Sequence, residues 1–372
     1  MPIYQTYESI PDWVRLDVAI EIIAEMISTT RQQLRSAKEN QNKTFIKEQK
    51  KRLDVLRKER LEMYFGNKEV IRKIICEYGL IVRRELEDEK AFMDANGGIP
   101  PIPQPIQEEI YAELIEEMEA YTKPVGNPEI VILGGQPGCG KGGLISLSKE
   151  RFPDGNVFIL NGDELRKEHP HSSQILKQNE QHYATLTDVV VRDWTSRLFT
   201  HAMETKRNII FEGTMRTDQI CRTIEDLFHR GYKITIQVMA VSEKDSILGI
   251  HERYEAQKAQ IGYGRMTPLL SHQDAYHGLL QTIEKIEKDQ MFDTLQVLNR
   301  EKEVLYDNSQ HIKMTTENAK EAIVKARTQR WSTQKRNDYI RCWDEVMRLM
   351  EYRHVSKQAI DEVLLLKSKI ED

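Results

Sequence analysis

The densest chemistry in the chain lies in eight residues, Gly134-Gly135-Gln136-Pro137-Gly138-Cys139-Gly140-Lys141. They follow the apolar run Val131-Ile132-Leu133 and precede a stretch that reads as helix from about Gly143. G-x-x-x-x-G-K between a strand and a helix is a phosphate cradle. Glycines at positive φ let successive backbone N–H groups converge on an anion. A helix N-terminus adds partial positive charge, and the lysine reaches the outer phosphates. The candidate nucleoside-triphosphate site is therefore Gly135, Gln136, Pro137, Gly138, Cys139, Gly140, Lys141, Gly142 and Gly143. Its last positions depart from the usual pattern, because Gly142 stands where a Ser or Thr hydroxyl would bind Mg²⁺. The metal must then be held by waters, phosphates or another side chain such as Asp163, or catalysis is weakened. Cys139 reads as a small filler, although a thiol at a helix N-terminus is also open to oxidation.

A second constellation follows the next apolar run: Asn161-Gly162-Asp163-Glu164-Leu165-Arg166. A carboxylate at the carboxyl end of a parallel strand faces the crevice where ligands bind. Phosphoryl transfer to a hydroxyl needs a carboxylate there to orient the nucleophile and take its proton, which makes Asp163 the candidate base. The plainer reading is a helix N-cap. A third run ends in Phe211-Glu212-Gly213-Thr214-Met215-Arg216. Glu212, Thr214 and Arg216 supply an acceptor, a hydroxyl and a guanidinium, which suits a polyhydroxylated or phosphorylated substrate; turn chemistry is the alternative. Arg253 and Arg265 are candidate phosphate ligands, since a planar guanidinium pairs bidentately with phosphate oxygens.

These side chains need a scaffold. Short apolar runs at 130–133, 157–160, 208–211, 234–240 and 294–298 alternate with helical stretches. That alternation predicts crossover units, hence an α/β fold with a mainly parallel sheet flanked by helices. Before it, residues 11–92 read as about three helices divided near Asn40-Gln41-Asn42 and Gly66-Asn67, an N-terminal all-α bundle. The basic stretch 43–60 reads as a solvated helix face or as a surface for an acidic partner. Two glycines and four prolines within 94–105 exclude helix interior and predict a stiff connector. An acidic helix follows at 106–120, and from about Ser309 the chain is helical again. The expected organisation is a bundle at 1–93, a linker at 94–106, a P-loop kinase-like domain at 107–306 and a helical C-terminal extension at 307–372.

Composition narrows the function classes. Net charge is −5 from 54 basic and 59 acidic residues, too even for whole-protein capture of nucleic acid. No apolar run reaches the ~18 residues of a membrane span, and the N-terminus has no basic-then-apolar leader. Four scattered cysteines without C-x-x-C predict neither zinc site nor disulfide framework. A cytoplasmic enzyme with no membrane or nucleic-acid partner is the expectation.

The ordered series GGQPGCGK, NGDELRKEHP, FEGTMR, MAV, ERYE, GRMTP and LNREKEVLY resembles the zeta toxin family, the kinase partners of epsilon/zeta toxin–antitoxin systems. The resemblance implies that Lys141 and the loop glycines bind ATP or GTP with Mg²⁺. It puts Asp163 on the family's catalytic base, Glu212, Thr214 and Arg216 on residues that hold a sugar nucleotide, and Arg253 and Arg265 on residues that bind the triphosphate. It implies phosphorylation of the 3′-hydroxyl of the amino sugar in UDP-N-acetylglucosamine, which starves cell-wall synthesis. A glutamate the family carries in the helix before the EGT strand is Ser196 here, with Asp193 one turn earlier as the expected stand-in. The bundle at 1–93 resembles a fused three-helix antitoxin, which implies inhibition in cis. From the residues alone the acceptor stays open between a UDP-sugar, a nicotinamide dinucleotide and another nucleotide hydroxyl. Gly142 also leaves open a nucleotide-binding pseudoenzyme.

Overall fold

The computed structural model describes residues 5–88, 101–309 and 318–368. The Gly/Pro connector as far as Pro100, and with it the expected boundary at 93, lies outside the described residues.

The N-terminal segment is helical, and its breaks fall on Asn and Gly. Between α1 (Asp12–Glu39) and α2 (Lys43–Tyr64), Gln41 takes φ 53° and the Asn42 side chain accepts from the amide of Phe45. Asn67 caps α3 (Lys68–Lys73) in the same way. A π-turn at Ile74–Tyr78 then leads into α4 (Gly79–Asp88), so Gly79 lies within a continuous helical rod. A Cβ there would lie 3.3 Å from Ile22 Cδ1, and its absence lets α4 approach α1 closely. α5 (Gln104–Tyr121) starts two residues earlier than read. Pro105 sits in its first turn, where a missing N–H breaks no intrahelical bond.

The remainder runs β1 (Glu129–Gly134), β2 (Phe158–Asn161), α6 (Gly162–Leu165), α7 (Ser172–Asn179), α8 (Tyr183–Glu204), β3 (Ile209–Glu212), α9 (Gln219–His229), β4 (Lys233–Met239), α10 (Glu243–Ile261), α11 (Leu269–Asp289), β5 (Thr294–Leu298), β6 (Val304–Asp307), α12 (Ala319–Thr328), α13 (Thr333–Tyr352) and α14 (Lys357–Ser368). Strand order is β2-β3-β1-β4-β5-β6. The first five strands pair in parallel, as the alternation predicts, and both sheet faces are covered by helices. β6, at the end of the LNREKEVLY segment, adds an antiparallel edge on β5. One element differs in kind. The stretch after the phosphate loop is 3₁₀ over Lys141–Ser148, because Gly142 and Gly143 weaken α-helix in its first turn.

Alternation along β1 divides the core. Val131 and Leu133 pack with Ile22, Ile23 and Met26 of α1 and with Ile74; Ile130 and Ile132 face Leu114 of α5, Trp194 of α8 and Ile283 of α11. The helical bundle and one face of the sheet thus share one continuous core. A smaller core joins Tyr339, Trp343 and Val346 of α13 to Leu248 of α10, and Arg353 pairs with Glu255 at 2.5 Å. α10 is therefore braced from the C-terminal side and also by α4, where Arg83 donates to the Ala259 carbonyl at 2.9 Å. Trp343 is fully buried, so Trp343→Ala is expected to cost about 3–5 kcal/mol, read as a lowered midpoint of urea unfolding.

Candidate functional site

The carboxyl ends of β1, β2 and β3 open into one cleft. Gly138, Gly140, Lys141 and Gly142 line it from the loop after β1, Asn161, Asp163 and Glu164 from the end of β2, and Glu212 from β3. Arg253 of α10 and Arg265 of the following loop complete the wall. Gly138 and Gly140 take φ 76° and 88°. A side chain at Gly138 would collide with the Ser246 carbonyl oxygen, so that position needs glycine both for its dihedral angle and for its space.

Lys141 Nζ lies 3.7 Å from Glu212, and Asn161 Nδ2 donates to Glu212 Oε2 at 3.0 Å. Arg265 Nη1 lies 2.6 Å from Asp163, and Arg166 Nε donates to the other Asp163 oxygen at 3.2 Å. Desolvation works to raise the Asp163 pKa, but Arg265, Arg166, Lys141 and Arg253 outweigh it and hold the carboxyl well below its ordinary range. Asp163 is thus an anion aimed at cations. Glu212 behaves oppositely: burial, opposed by Lys141 but helped by Asp17 and Asp163, pushes it up to about 7. Two carboxyls with separated pKa values beside a lysine and two arginines can bind a polyanion and accept a proton.

α1 roofs the cleft. Asp17, Ile20, Glu21 and Ala24 are part of its lining, and Asp17 lies 4.0 Å from Arg253. Glu21 and Glu25 hold Lys167 at 2.6 and 3.2 Å, and Lys167 Nζ also donates to the Tyr263 hydroxyl at 2.9 Å. Along the flank of the cleft the charge pattern reverses. Arg31 pairs with Glu117 and Glu168, Arg35 with Glu113, Arg57 with Glu117 and Arg60 with Glu164. Two arginines of the basic stretch thus dock on acidic groups, one of them on the acidic helix α5.

Not every expected residue meets the cleft. Arg216 is exposed, and neither it nor Thr214 is part of the lining. Asp193, the expected stand-in for a missing glutamate, is exposed and pairs with Arg197 at 3.3 Å; Ser196 is exposed as well. The α8 carboxylate that reaches the site does so indirectly, through Arg166, which lies 3.1 Å from Asp188. Gln136 is fully buried and serves the scaffold, donating to the Val241 carbonyl and accepting from Arg327. Pro137 is half-buried beside it, and Gly143 donates to the Gly140 carbonyl. Gly135, at φ 153°, packs against the Cys139 thiol. Burial pushes that thiol's pKa up, which fits the filler reading rather than an oxidation site. The reading of residue spacing missed Asp17, Glu21 and Lys167. Acids at i, i+4 and i+8 inside an otherwise apolar helix were the available signal.

The Glu212 shift has a pH consequence. With α1 docked, the carboxyl keeps its proton up to about pH 7; in open solvent its ordinary value is 4.5. Asp17, raised by burial against the pull of Arg253, Lys141 and Arg265, adds in the same direction. The docked state binds more protons in that window, so docking weakens as pH rises through it. Faster hydrogen exchange of α1 amides at pH 8 than at pH 6, after correction for intrinsic rates, is the expected result.

The zeta toxin family profile matches residues 112–311. "Toxin zeta" of Enterococcus hirae is 31% identical over 196 residues, spanning 52% of this chain and 68% of the relative. "Toxin PezT" of Streptococcus pneumoniae serotype 4 is 27% identical over 186 residues, spanning 50% and 73%. A solved structure from the PezAT chromosomal toxin–antitoxin system of Streptococcus pneumoniae superposes with TM-score 0.56 at 21% identity, covering 67% of this chain and 98% of that one, which is a likeness of fold. With the family's profile spanning the whole sheet and every strand end that builds the cleft, the chain belongs to the zeta toxin family.

Proposed function

We propose that the chain transfers the γ-phosphoryl group of ATP or GTP to the 3′-hydroxyl of the amino sugar in UDP-N-acetylglucosamine, and that residues 1–93 hold this activity in check through α1. The observation that carries the reading is one cleft lined by both Lys141 and Asp163, with Arg253 and Arg265 beside them. Lys141 and the loop amides bind the β- and γ-phosphates. Asp163 orients the acceptor hydroxyl and takes its proton as the oxygen bonds to the γ-phosphorus and the bond to the bridging oxygen breaks. Arg253 and Arg265 offset the charge that builds on the transferring group. Glu212, with Thr214 and Arg216 further along the same loop, is the proposed acceptor-binding group.

The donor set also suits Mg²⁺. A Cβ at Gly142 would lie 3.8 Å from Glu212 Oε2, so a carboxylate borders the space where the usual hydroxyl ligand would stand. Glu212 would hold the ion together with phosphate oxygens and waters, and the ion would neutralise phosphate charge. No described helix is long and apolar enough to cross a membrane. Both proposed substrates are cytoplasmic metabolites, so the proposed activity belongs in the cytoplasm. The relatives' names and the PezAT toxin–antitoxin system support a toxin reading; action on a cell-wall precursor, and inhibition supplied in cis by the helical segment, are this proposal's own extension.

The test incubates the full chain carrying Glu21→Lys, which loosens α1, with ATP, Mg²⁺ and a panel of UDP-sugars, nicotinamide dinucleotide and nucleosides. Mass spectrometry then reads a gain of one phosphate. Gain on UDP-N-acetylglucosamine alone is expected. Gain on the dinucleotide alone reassigns the acceptor, and ATP binding without any transfer returns the pseudoenzyme.

A further inference from the structure

Gln136 opens the first turn of the phosphate loop. Its carbonyl accepts from the Cys139 amide at 3.3 Å, Pro137 takes the second position and Gly138, at φ 76°, the third, which is the pattern of a type II turn. Backbone N–H groups cradle an anion only where they converge, so the angle at which this turn is held matters. Its anchor is the Gln136 side chain, an amide that is fully buried and bonded at both ends. Nε2 donates to the Val241 carbonyl at 2.8 Å and to Ser246 Oγ at 3.2 Å, and Oε1 accepts from Arg327 Nη2 at 3.1 Å. A guanidinium can only donate, so Arg327 decides which way round the amide sits.

Arg327 lies beyond the stretch that the family profile matches, which ends at residue 311. α12 carries it. Ala322 and Ile323 of that helix share a core with Leu295 and Val297 of β5, and Arg327 follows Ile323 by four residues, on the same face. Its other terminal nitrogen, Nη1, donates to the Tyr276 carbonyl at 2.7 Å, and its Cζ lies 3.8 Å from the centre of the Tyr276 ring. One turn earlier on α11, His272 Nε2 lies 2.8 Å from Ser246 Oγ. The contacts close a ring that runs through Gln136, Ser246, His272, Tyr276 and Arg327. Gln136, Ser246 and His272 are fully buried, and Arg327 is 7% exposed. Burial, with Arg327 nearby, pushes the His272 pKa down to about 4, so the ring carries a single charge, that of Arg327. An apolar side chain would fill the same space at lower cost; what the guanidinium adds is two directed bonds that tie α11 to the loop.

We infer that Arg327 is a positioning residue of the phosphate loop, and that through Gln136 it makes the helical segment after the sheet part of what shapes the cradle. Its effect on ATP rests on the kinase reading, whereas its effect on the unliganded loop does not.

The test is a double-mutant cycle in the full chain carrying Glu21→Lys, with Arg327→Met, Gln136→Met and the two together. Calorimetry reads ATP affinity and urea unfolding reads stability. Arg327→Met is expected to weaken ATP binding about tenfold beside Gln136 and by less than about twofold beside Gln136→Met. The stability lost with the Tyr276 contacts should be the same in both backgrounds. An arginine that only supports the fold would weaken ATP equally in both, or in neither, and either result overturns the assignment. Hydrogen exchange of the unliganded chains gives a second reading. The peptide holding residues 135–141 should exchange faster in Arg327→Met than in its parent, with β1 unchanged; an unaltered loop overturns the assignment. If no chain binds ATP, exchange decides alone, and a faster loop then sinks the kinase reading while the positioning role stands. Should Arg327→Met fail to fold, Arg327→Lys, which can serve one of the two carbonyl oxygens but not both, replaces it under the same criteria.

Discussion

Asp163→Asn is expected to lower phosphoryl transfer by about 10²–10⁴-fold while nucleotide affinity stays within a few-fold. The substitution keeps size and loses both the proton acceptor and the anion. The backbone should hold, because the Asp163 amide is fixed by the Asn161 side chain at 2.9 Å and not by its own carboxylate. In the α1-docked state Arg265 and Arg166 clamp this carboxylate and keep it a weak base. A triphosphate drawing Arg265 toward its oxygens would restore basicity as substrate arrives. The measurement is turnover at saturating acceptor beside calorimetric affinity for ATP, both in the α1-loosened chain. Unaltered turnover with unaltered affinity would remove Asp163 from the chemistry.

Glu21→Lys should have the opposite sign. Lys167 is 1% exposed, and its charge is tolerated only because Glu21, Glu25 and two tyrosine hydroxyl-bearing rings surround it. Burial works against the protonated amine, and the acids more than compensate, holding its pKa well above the ordinary value. Breaking such a pair costs about 3–5 kcal/mol, or roughly two to three powers of ten in the ratio of docked to open α1. Initial rates should rise accordingly, and α1 should become sensitive to limited proteolysis while the sheet stays resistant. Glu21→Gln, which removes the charge without reversing it, should give a smaller rise in the same direction. If both variants stay folded and no faster than the unmodified chain, α1 is no inhibitor.

The phosphate loop, the five parallel strands and the residues at their carboxyl ends were legible because their signals are local. Glycines precede Lys141, β-branched runs end in Asp163 and Glu212, and order along the chain becomes order along the sheet edge. The 3₁₀ character of Lys141–Ser148 was readable in principle from Gly142 and Gly143. Asp17 and Glu21 were not readable in the same way. An acid every fourth residue normally marks a wet helix face; here that face meets Lys141, Arg253 and Lys167, more than a hundred residues away. Asp193 failed for the converse reason, since ungapped spacing fixes a position along α8 but not which side of it turns inward. β6 was hidden because an edge strand with exposed Val304 lacks the apolar run that marked the others.

Val131 and Leu133 of the sheet share their core with Ile22, Ile23 and Met26 of α1, so the sheet and α1 form one folding unit. Where toxin and antidote are separate molecules, a protease can destroy one and spare the other, and activation follows from unequal half-lives. On the proposed reading, both would be parts of one chain, made together in a fixed one-to-one ratio. Under the inhibition proposed above, dilution would not separate inhibitor from cleft, and a movement of the first helix within the chain would be what opens the site.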